Sequence, residues 1–160
     1  MEILKLINNG SKQLRDKNIN SHKIDSEILL SETLNQSREN ILINLDKKVD
    51  PKKIKDFYKF IQRRSSKEPI AYILKKKEFW SKSFLVDYNS LIPRPETELM
   101  VEKIVKIFES KDIYILDIGT GTGCILVSIL SELKNSRGIG IDISSKTIQI
   151  ANANLKKHNL

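Results

Sequence analysis

Three glycines at alternate positions, Gly119, Gly121 and Gly123, separate a β-branched apolar run from a run with helical patterning. The first run is Ile113 to Ile118, with Asp117 near its end, and the second begins at Cys124. Between them stand only Gly119, Thr120, Gly121, Thr122 and Gly123, a loop of the two residue types Gly and Thr. Glycine reaches backbone conformations that other residues resist, so such a loop can lie close against a ligand. The helix expected after it aims free amides and the positive end of its dipole at the same place. A second apolar run, Gly138 to Ser144, carries Asp142, 23 residues beyond Gly119. A carboxylate at the tip of that strand can accept hydrogen bonds from both hydroxyls of a ribose. Strand, glycine loop, helix, strand and acid form half of a nucleotide-binding α/β unit, a more specific pattern than any lone glycine run. A tight turn with no ligand is the alternative, and it leaves the five Gly/Thr residues and the placed acid unexplained.

A second constellation lies upstream, in Leu91-Ile92-Pro93-Arg94-Pro95-Glu96-Thr97-Glu98. Residues that precede proline are pushed into extended conformations, so Arg94 is displayed on stiff backbone directly before a helix. Pro95 suits the first helical position, and Glu96 and Glu98 suit the first turn. Two roles are open for Arg94: contact with a ligand, or an ion pair with Glu96 or Glu98 that braces the turn. Leu99, Met100, Ile104, Ile107 and Phe108 are expected to form the apolar face of that helix.

The remaining elements must position these two segments. Ile3, Leu6, Ile7 and Leu14 have helical spacing, with a break expected at Asn8-Asn9-Gly10. Ile24, Ile28, Leu29 and Leu34 predict an amphipathic helix capped by Asn20 or Ser21. A short helical piece follows over 37–45, with Ile41, Leu42 and Leu45 on one side. Asp50-Pro51 is a start signal for a helix carrying Ile54, Phe57, Tyr58 and Ile61, which ends near Arg63-Arg64-Ser65-Ser66. After a short turn at Glu68 to Ile73 the period changes. Phe79-Trp80 and Ser83 to Val86 read as a hairpin, although Ser81 lacks the glycine geometry favoured in tight two-residue turns. The expected organisation is a helical domain over 1–75, a β-hairpin linker over 76–92, and the start of a Rossmann-like α/β domain over 93–160.

Composition bounds the function classes. The chain has 160 residues, 39% hydrophobic and 30% charged, as a globular protein does. No apolar run approaches the roughly 20 residues of a membrane-spanning helix, and the N-terminus lacks a signal-peptide layout. One cysteine excludes an internal disulfide framework and suits the cytoplasm. The net charge of +8 is uneven: residues 1–90 hold 19 Lys/Arg against 12 Asp/Glu, and 91–160 hold 9 against 8. Without clustered arginines or interleaved aromatics, solvated lysine faces are the favoured reading over direct nucleic-acid binding. Cys124 reads as a small packing residue. His22 and His158 are isolated and support neither a metal site nor a general base, and Trp80 reads as hairpin core.

The ligand is narrowed by what the loop lacks. A P-loop needs a Gly-Lys-Ser/Thr end, which is absent, and a dinucleotide loop needs GxGxxG, whereas position 124 is Cys. The observed GxGxG, two residues after Asp117, resembles the first motif of Rossmann-like S-adenosylmethionine-dependent methyltransferases. With Leu91 to Glu98, the Pro69-Ile70-Ala71-Tyr72 step and the Phe79-Trp80 hairpin, the whole chain resembles the peptide chain release factor glutamine methyltransferase family. A sister family acting on a ribosomal-protein glutamine lacks the Pro-Glu-Thr-Glu continuation. The resemblance implies that Gly119, Thr120, Gly121, Thr122 and Gly123 line S-adenosyl-L-methionine and that Asp142 holds its ribose. Arg94, Pro95, Glu96 and Thr97 would lie beside the cofactor and help close the site, with no metal. The implied reaction is methylation of the glutamine side-chain amide in the Gly-Gly-Gln loop of release factors, which would be the protein partners.

One departure matters. The family holds the substrate amide with an Asn-Pro-Pro-Tyr motif, and no Asn-Pro pair occurs in these residues. No catalytic residue is therefore assigned within this chain. It is expected to be the N-terminal portion of a longer enzyme, inactive alone, with an uncovered sheet face. Two alternatives stand beside this reading: a non-catalytic module docking a protein or the ribosome, and a nucleic-acid methyltransferase.

Overall fold

Apolar residues at helical spacing build the first part of the molecule. Helices α1 (Ile3–Arg15), α2 (His22–Leu34), α3 (Arg38–Leu42), α4 (Pro51–Ser65) and α5 (Ile70–Leu74) enclose a core of Leu6, Leu14, Leu29, Leu30, Ile41, Phe57 and Ile61, all fully buried. Burying each such side chain contributes about 1.5–3 kcal/mol relative to exposure. The cap read at Asp50 forms, accepting from the Lys52 amide at 2.8 Å, and Ser37, which the sequence marked only as the start of a helical piece, caps α3 by accepting from the Asn40 amide at 3.1 Å. Ser21 stands at the start of α2, but its hydroxyl donates to Asp25 (2.8 Å) instead of capping the helix. Asp25 is buried and also accepts from Arg64 Nε at 2.7 Å, joining α2 to α4. Arg63 forks over Glu68 and donates to the carbonyls of Tyr72 and Ile73, which fixes α5.

The expected break at Asn8-Asn9-Gly10 does not occur; α1 runs through it. Gly10 is there for packing. A Cβ at this position would lie 2.6 Å from Ser26 Oγ, 2.7 Å from Phe57 Cζ and 3.0 Å from Ile61 Cδ1. The missing side chain lets α1 approach α2 and α4, and Ser26 Oγ donates to the Ile7 carbonyl across the contact at 2.8 Å. Gly10→Ala should therefore destabilise this unit by about 1–2 kcal/mol. Overpacking costs about 1–3 kcal/mol and outweighs the helix-propensity gain of at most ~1 kcal/mol. A thermal melt showing a stabilised variant would contradict the account. Ile24, expected on the inner face of α2, is instead 43% exposed.

The computed structural model describes residues 1–160, which divide into two compact units, Met1–Leu74 and Lys75–Leu160. In the second, strands β1 (Lys76–Phe79) and β2 (Lys82–Leu85) form an antiparallel hairpin closed by Trp80 and Ser81 alone. Both turn residues have positive φ, 51° and 53°, a conformation unfavourable for side chains other than glycine and asparagine. Two carboxylates hold it. Trp80 donates its backbone N–H to Glu98 at 2.9 Å and its indole N–H to Glu132 at 2.8 Å.

A 3-10 turn at Pro95–Thr97 leads into α6 (Glu98–Phe108), then β3 (Tyr114–Ile118), α7 (Cys124–Glu132), β4 (Arg137–Ile141) and α8 (Ser145–Lys157). β3 and β4 pair in parallel, Tyr114 opposite Arg137 and Ile118 opposite Ile141. This is the α/β architecture of a partial Rossmann-like domain joined to a helical N-terminal region. Leu99, Met100 and Ile107 are exposed, whereas Val101 is buried and Ile104, Val105 and Phe108 pack against the core. The expected apolar stripe of α6 is thus rotated. The sheet is covered on one side only: Tyr114, Leu116, Ile118, Ile139 and Ile141 project from the other face into solvent. No helix is long and apolar enough to cross a membrane.

Candidate functional site

The glycine spacing has a conformational cause. Gly119, Gly121 and Gly123 have φ of +79°, +57° and +76°, so every second residue of the loop is left-handed. The sheet fixes the loop's start, where the amides of Gly119 and Thr120 both donate to the Ile141 carbonyl, at 2.8 and 2.9 Å. Its end closes on itself, the Gly123 amide donating to Thr120 O at 2.8 Å. Thr120 is buried and donates from Oγ1 to Asp117 Oδ2 at 2.8 Å. A Cβ on Gly140 would stand 2.7 Å from that hydroxyl, so the glycine in β4 makes room for the loop threonine. Gly138 does the same for Leu126 of α7, 2.5 Å from its hypothetical Cβ.

Asp142 joins the strand tip to the loop. Its Oδ2 accepts from the Gly121 amide at 3.1 Å and its Oδ1 from the Ser144 amide at 3.0 Å. A carboxylate has about four acceptor positions, and these two bonds leave capacity on both oxygens of a half-buried group. The faces of Gly119 and Gly121 are open. A Cβ on Gly119 would meet nothing within 4 Å, and one on Gly121 only the Gly119 carbonyl at 3.9 Å. Gly123 differs, because its Cα faces Ala151 of α8 at 3.4 Å from a hypothetical Cβ. The residues present therefore suit a ligand that lies along open backbone and offers hydroxyls to one acid. Thr122 is buried, and its Oγ1 has no hydrogen-bond partner.

The upstream segment keeps the stiffness read from its prolines. Arg94 is extended (φ −98°, ψ 134°) and exposed, Pro95 and Glu96 are exposed, and Thr97 is half-buried. The bracing ion pair does not form. Arg94 pairs with neither Glu96 nor Glu98, and Glu98 instead accepts from the hairpin turn. The structure thus joins Gly121 to Asp142 directly, while no hydrogen bond ties Arg94, Pro95, Glu96 or Thr97 to the loop. At the start of α7, burial pushes the Cys124 thiol above its ordinary pKa, against a nucleophilic role. His158 packs its ring on Phe84, centroids 4.9 Å apart, and burial pushes its pKa down. No cluster of His, Cys, Asp and Glu suited to a metal is present.

Known proteins resemble this chain in sequence. Residues 5–74 match the PrmC N-terminal domain family, and residues 109–160 match a methyltransferase-domain family. The release factor glutamine methyltransferase of Buchnera aphidicola subsp. Acyrthosiphon pisum is 40% identical over 159 residues, covering 99% of this chain. The chain thus joins a PrmC N-terminal domain to a methyltransferase domain. The release factor glutamine methyltransferase of Buchnera aphidicola subsp. Schizaphis graminum is 44% identical over 138 residues, 86% of the chain. A bifunctional methyltransferase of Rickettsia typhi is 34% identical over 177 residues. The chain spans 57% and 50% of the two Buchnera proteins and 34% of the Rickettsia protein. Both matched regions fall inside the two structural units, and the hairpin and the Arg94 segment lie between the matches.

Asn154 escaped the sequence reading. It is fully buried on α8 and bonded to both the hairpin and the loop. Its signal is visible in retrospect: a polar residue with poor helix propensity in a helix interior, seven residues after Thr147 and three after Ala151, on one stripe.

Proposed function

We propose that this chain binds S-adenosylmethionine at Gly119 to Gly123 with Asp142 on the ribose, as part of an enzyme that methylates release factors. The acceptor would be the glutamine side-chain amide of their Gly-Gly-Gln loop. The observation that carries the proposal is the bond between the Gly121 amide and Asp142 Oδ2, beside Gly119, whose open side faces no protein atom, and Gly121, whose side meets only the Gly119 carbonyl at 3.9 Å. When bound, S-adenosylmethionine supplies a methyl group made electrophilic by its sulfonium. The chain's own residues bind and orient. Asp142 accepts the ribose hydroxyls, the left-handed glycines bring backbone close, and the amide end of α7 faces the loop. Such positioning is what a weakly nucleophilic amide nitrogen requires. Arg94, Pro95, Glu96 and Thr97 form the flank that closes over the cofactor, with Arg94 free of internal carboxylates. None of these residues is assigned to holding the glutamine.

Substrate recognition is assigned to residues 1–75. Between α1, α2 and α3 lies an open groove of about 570 Å³, lined by Leu4, Ile7, Ile24, Leu42 and the Glu27–Arg38 pair. Exposed apolar side chains around a buried, neutralised acid suit a protein partner.

Calorimetry of the purified chain with S-adenosylmethionine tests the cofactor assignment. Asp142→Ala should weaken binding by one to two orders of magnitude, through loss of two charge-assisted hydrogen bonds worth about 1.5–3 kcal/mol each before relaxation. Equal affinity of wild type and variant would remove Asp142 from the ribose.

A further inference from the structure

We propose that Asn154 is a positioning residue that sets the conformation of the glycine loop and couples it to the β1–β2 hairpin. The inference rests on the cofactor reading above for its functional consequence, though not for its geometry. Asn154 lies in α8 with no exposed surface. Its two amide hydrogens go to two different segments: Nδ2 donates to the carbonyl of Thr122 at 2.9 Å and to that of Leu85 at 3.0 Å. Its Oδ1 accepts the Leu85 amide at 2.7 Å. A single side chain thus treats Leu85 as a neighbouring strand would, bonding both its donor and its acceptor. It spends the remaining hydrogen on the loop.

The Thr122 carbonyl is a sensitive point to hold. It shares one rigid peptide plane with the Gly123 amide, and that amide donates to Thr120 O at 2.8 Å. Fixing the oxygen fixes the plane, and the plane closes the turn from Thr120 to Gly123. Gly121 and Gly123 flank it with positive φ, where glycine has the greatest freedom to move. The loop is otherwise held by the Ile141 carbonyl and Asp117 at its start and by Asp142 in its middle. Asn154 supplies the anchor at its end.

The rest of the same α8 stripe supports this role. Thr147 Oγ1 donates to the Asn89 carbonyl at 2.6 Å, so the turn leading to the Arg94 segment is held by the same helix. Ala151 packs under Gly123, and His158 Nε2 lies 3.2 Å from the Ser83 carbonyl on the hairpin. Residues 147, 151, 154 and 158 repeat at helical spacing, and together they meet the Asn89 turn, the glycine loop and the hairpin. Only Asn154 bonds the loop and the hairpin together.

Asn154→Asp keeps the shape and the acceptor for the Leu85 amide but removes both donors and turns a carboxylate on two carbonyl oxygens. Thr147→Val is the control, since it breaks the Asn89 anchor without touching Thr122. Hydrogen exchange of the Gly121 and Gly123 amides is read together with S-adenosylmethionine affinity. Asn154→Asp should speed exchange at both amides at least tenfold and weaken the cofactor at least tenfold, at a temperature where the chain is folded. Thr147→Val should lower the melting temperature while leaving the exchange of both amides within twofold. Unchanged loop exchange in Asn154→Asp, or equal changes in Thr147→Val, would overturn the proposal. If wild type binds no S-adenosylmethionine, the cofactor reading fails, and loop exchange alone decides the positioning role. Should Asn154→Asp not fold, the wild-type chain still decides. The Leu85 and Gly123 amides should open with the same denaturant dependence, and independent opening of Gly123 would refute the coupling.

Discussion

Gly123→Val should unfold or severely weaken the Lys75–Leu160 unit, by about 2–5 kcal/mol, and abolish measurable S-adenosylmethionine binding. Two costs combine. A β-branched residue at φ +76° is strained, and the left-handed region costs an ordinary L-residue about 1–2 kcal/mol. The valine methyls would then press on Ala151, whose Cβ and Cα lie 3.4 and 3.5 Å from the first added atom. Overpacking of this kind costs about 1–3 kcal/mol more. The displaced helix is α8, which follows Asp142 and carries Asn154, so the acid and the loop anchor shift with it. Gly119→Ala separates the two costs. Its φ is equally unfavourable, but its added methyl meets no protein atom. The melt should fall by only the strain, about 1–2 kcal/mol, while cofactor affinity falls at least tenfold, because the methyl occupies the open side assigned to the ligand. Denaturant melts paired with calorimetry would separate the variants. A Gly119→Ala protein with wild-type affinity would show that the ligand does not approach this face.

The contrast between these two glycines marks how far residue types alone can be read. The alternation of Gly119, Gly121 and Gly123 is local chemistry: each left-handed φ belongs to one residue, so spacing reveals it. The strand before the loop, the helix after it and the acid beyond β4 follow from periodicity in the same way. What each glycine faces is a tertiary fact. Gly10 looked like a helix break because glycine is usually poor in helices, yet its value lies in the closeness of Ser26 and Phe57, residues 16 and 47 positions away. Glu98 looked like a dipole acid or a partner for Arg94, and it serves a hairpin turn 18 residues upstream. Asn154 bonds residues 69 and 32 positions away, which no helical wheel displays. Hydropathy alone places Leu99, Met100 and Ile107 on a core stripe; α6 rotates because Val101 and Ile104 pack in the core with hairpin and α7 residues.

The uncovered side of the β3–β4 sheet should dominate how the 160-residue chain behaves in solution. Tyr114, Leu116, Ile118 and Ile139 are 83, 60, 75 and 67% exposed, and Ile141 and Ile143 extend the same apolar surface. A soluble monomer seldom shows a contiguous apolar patch beyond about 300–600 Å². Here the patch also sits on a two-stranded sheet whose outer edges both offer unpaired backbone groups. The purified chain should self-associate in the micromolar range and bind an apolar-surface dye strongly. Leu116→Thr with Ile139→Thr should reduce both effects severalfold without disturbing the pairing, because threonine is β-branched and suits a strand. These two residues face each other across the ladder in register, so the pair breaks the patch at its centre. The inner face, where Leu126 seats on Gly138 and Thr120 on Gly140, is untouched by either change, and S-adenosylmethionine affinity should stay within twofold. Sedimentation and dye fluorescence read the first effect, and calorimetry reads the second. A wild-type chain that remains a dye-negative monomer would mean that this face is covered in solution. A double variant that loses cofactor affinity would mean that the outer face also shapes the loop.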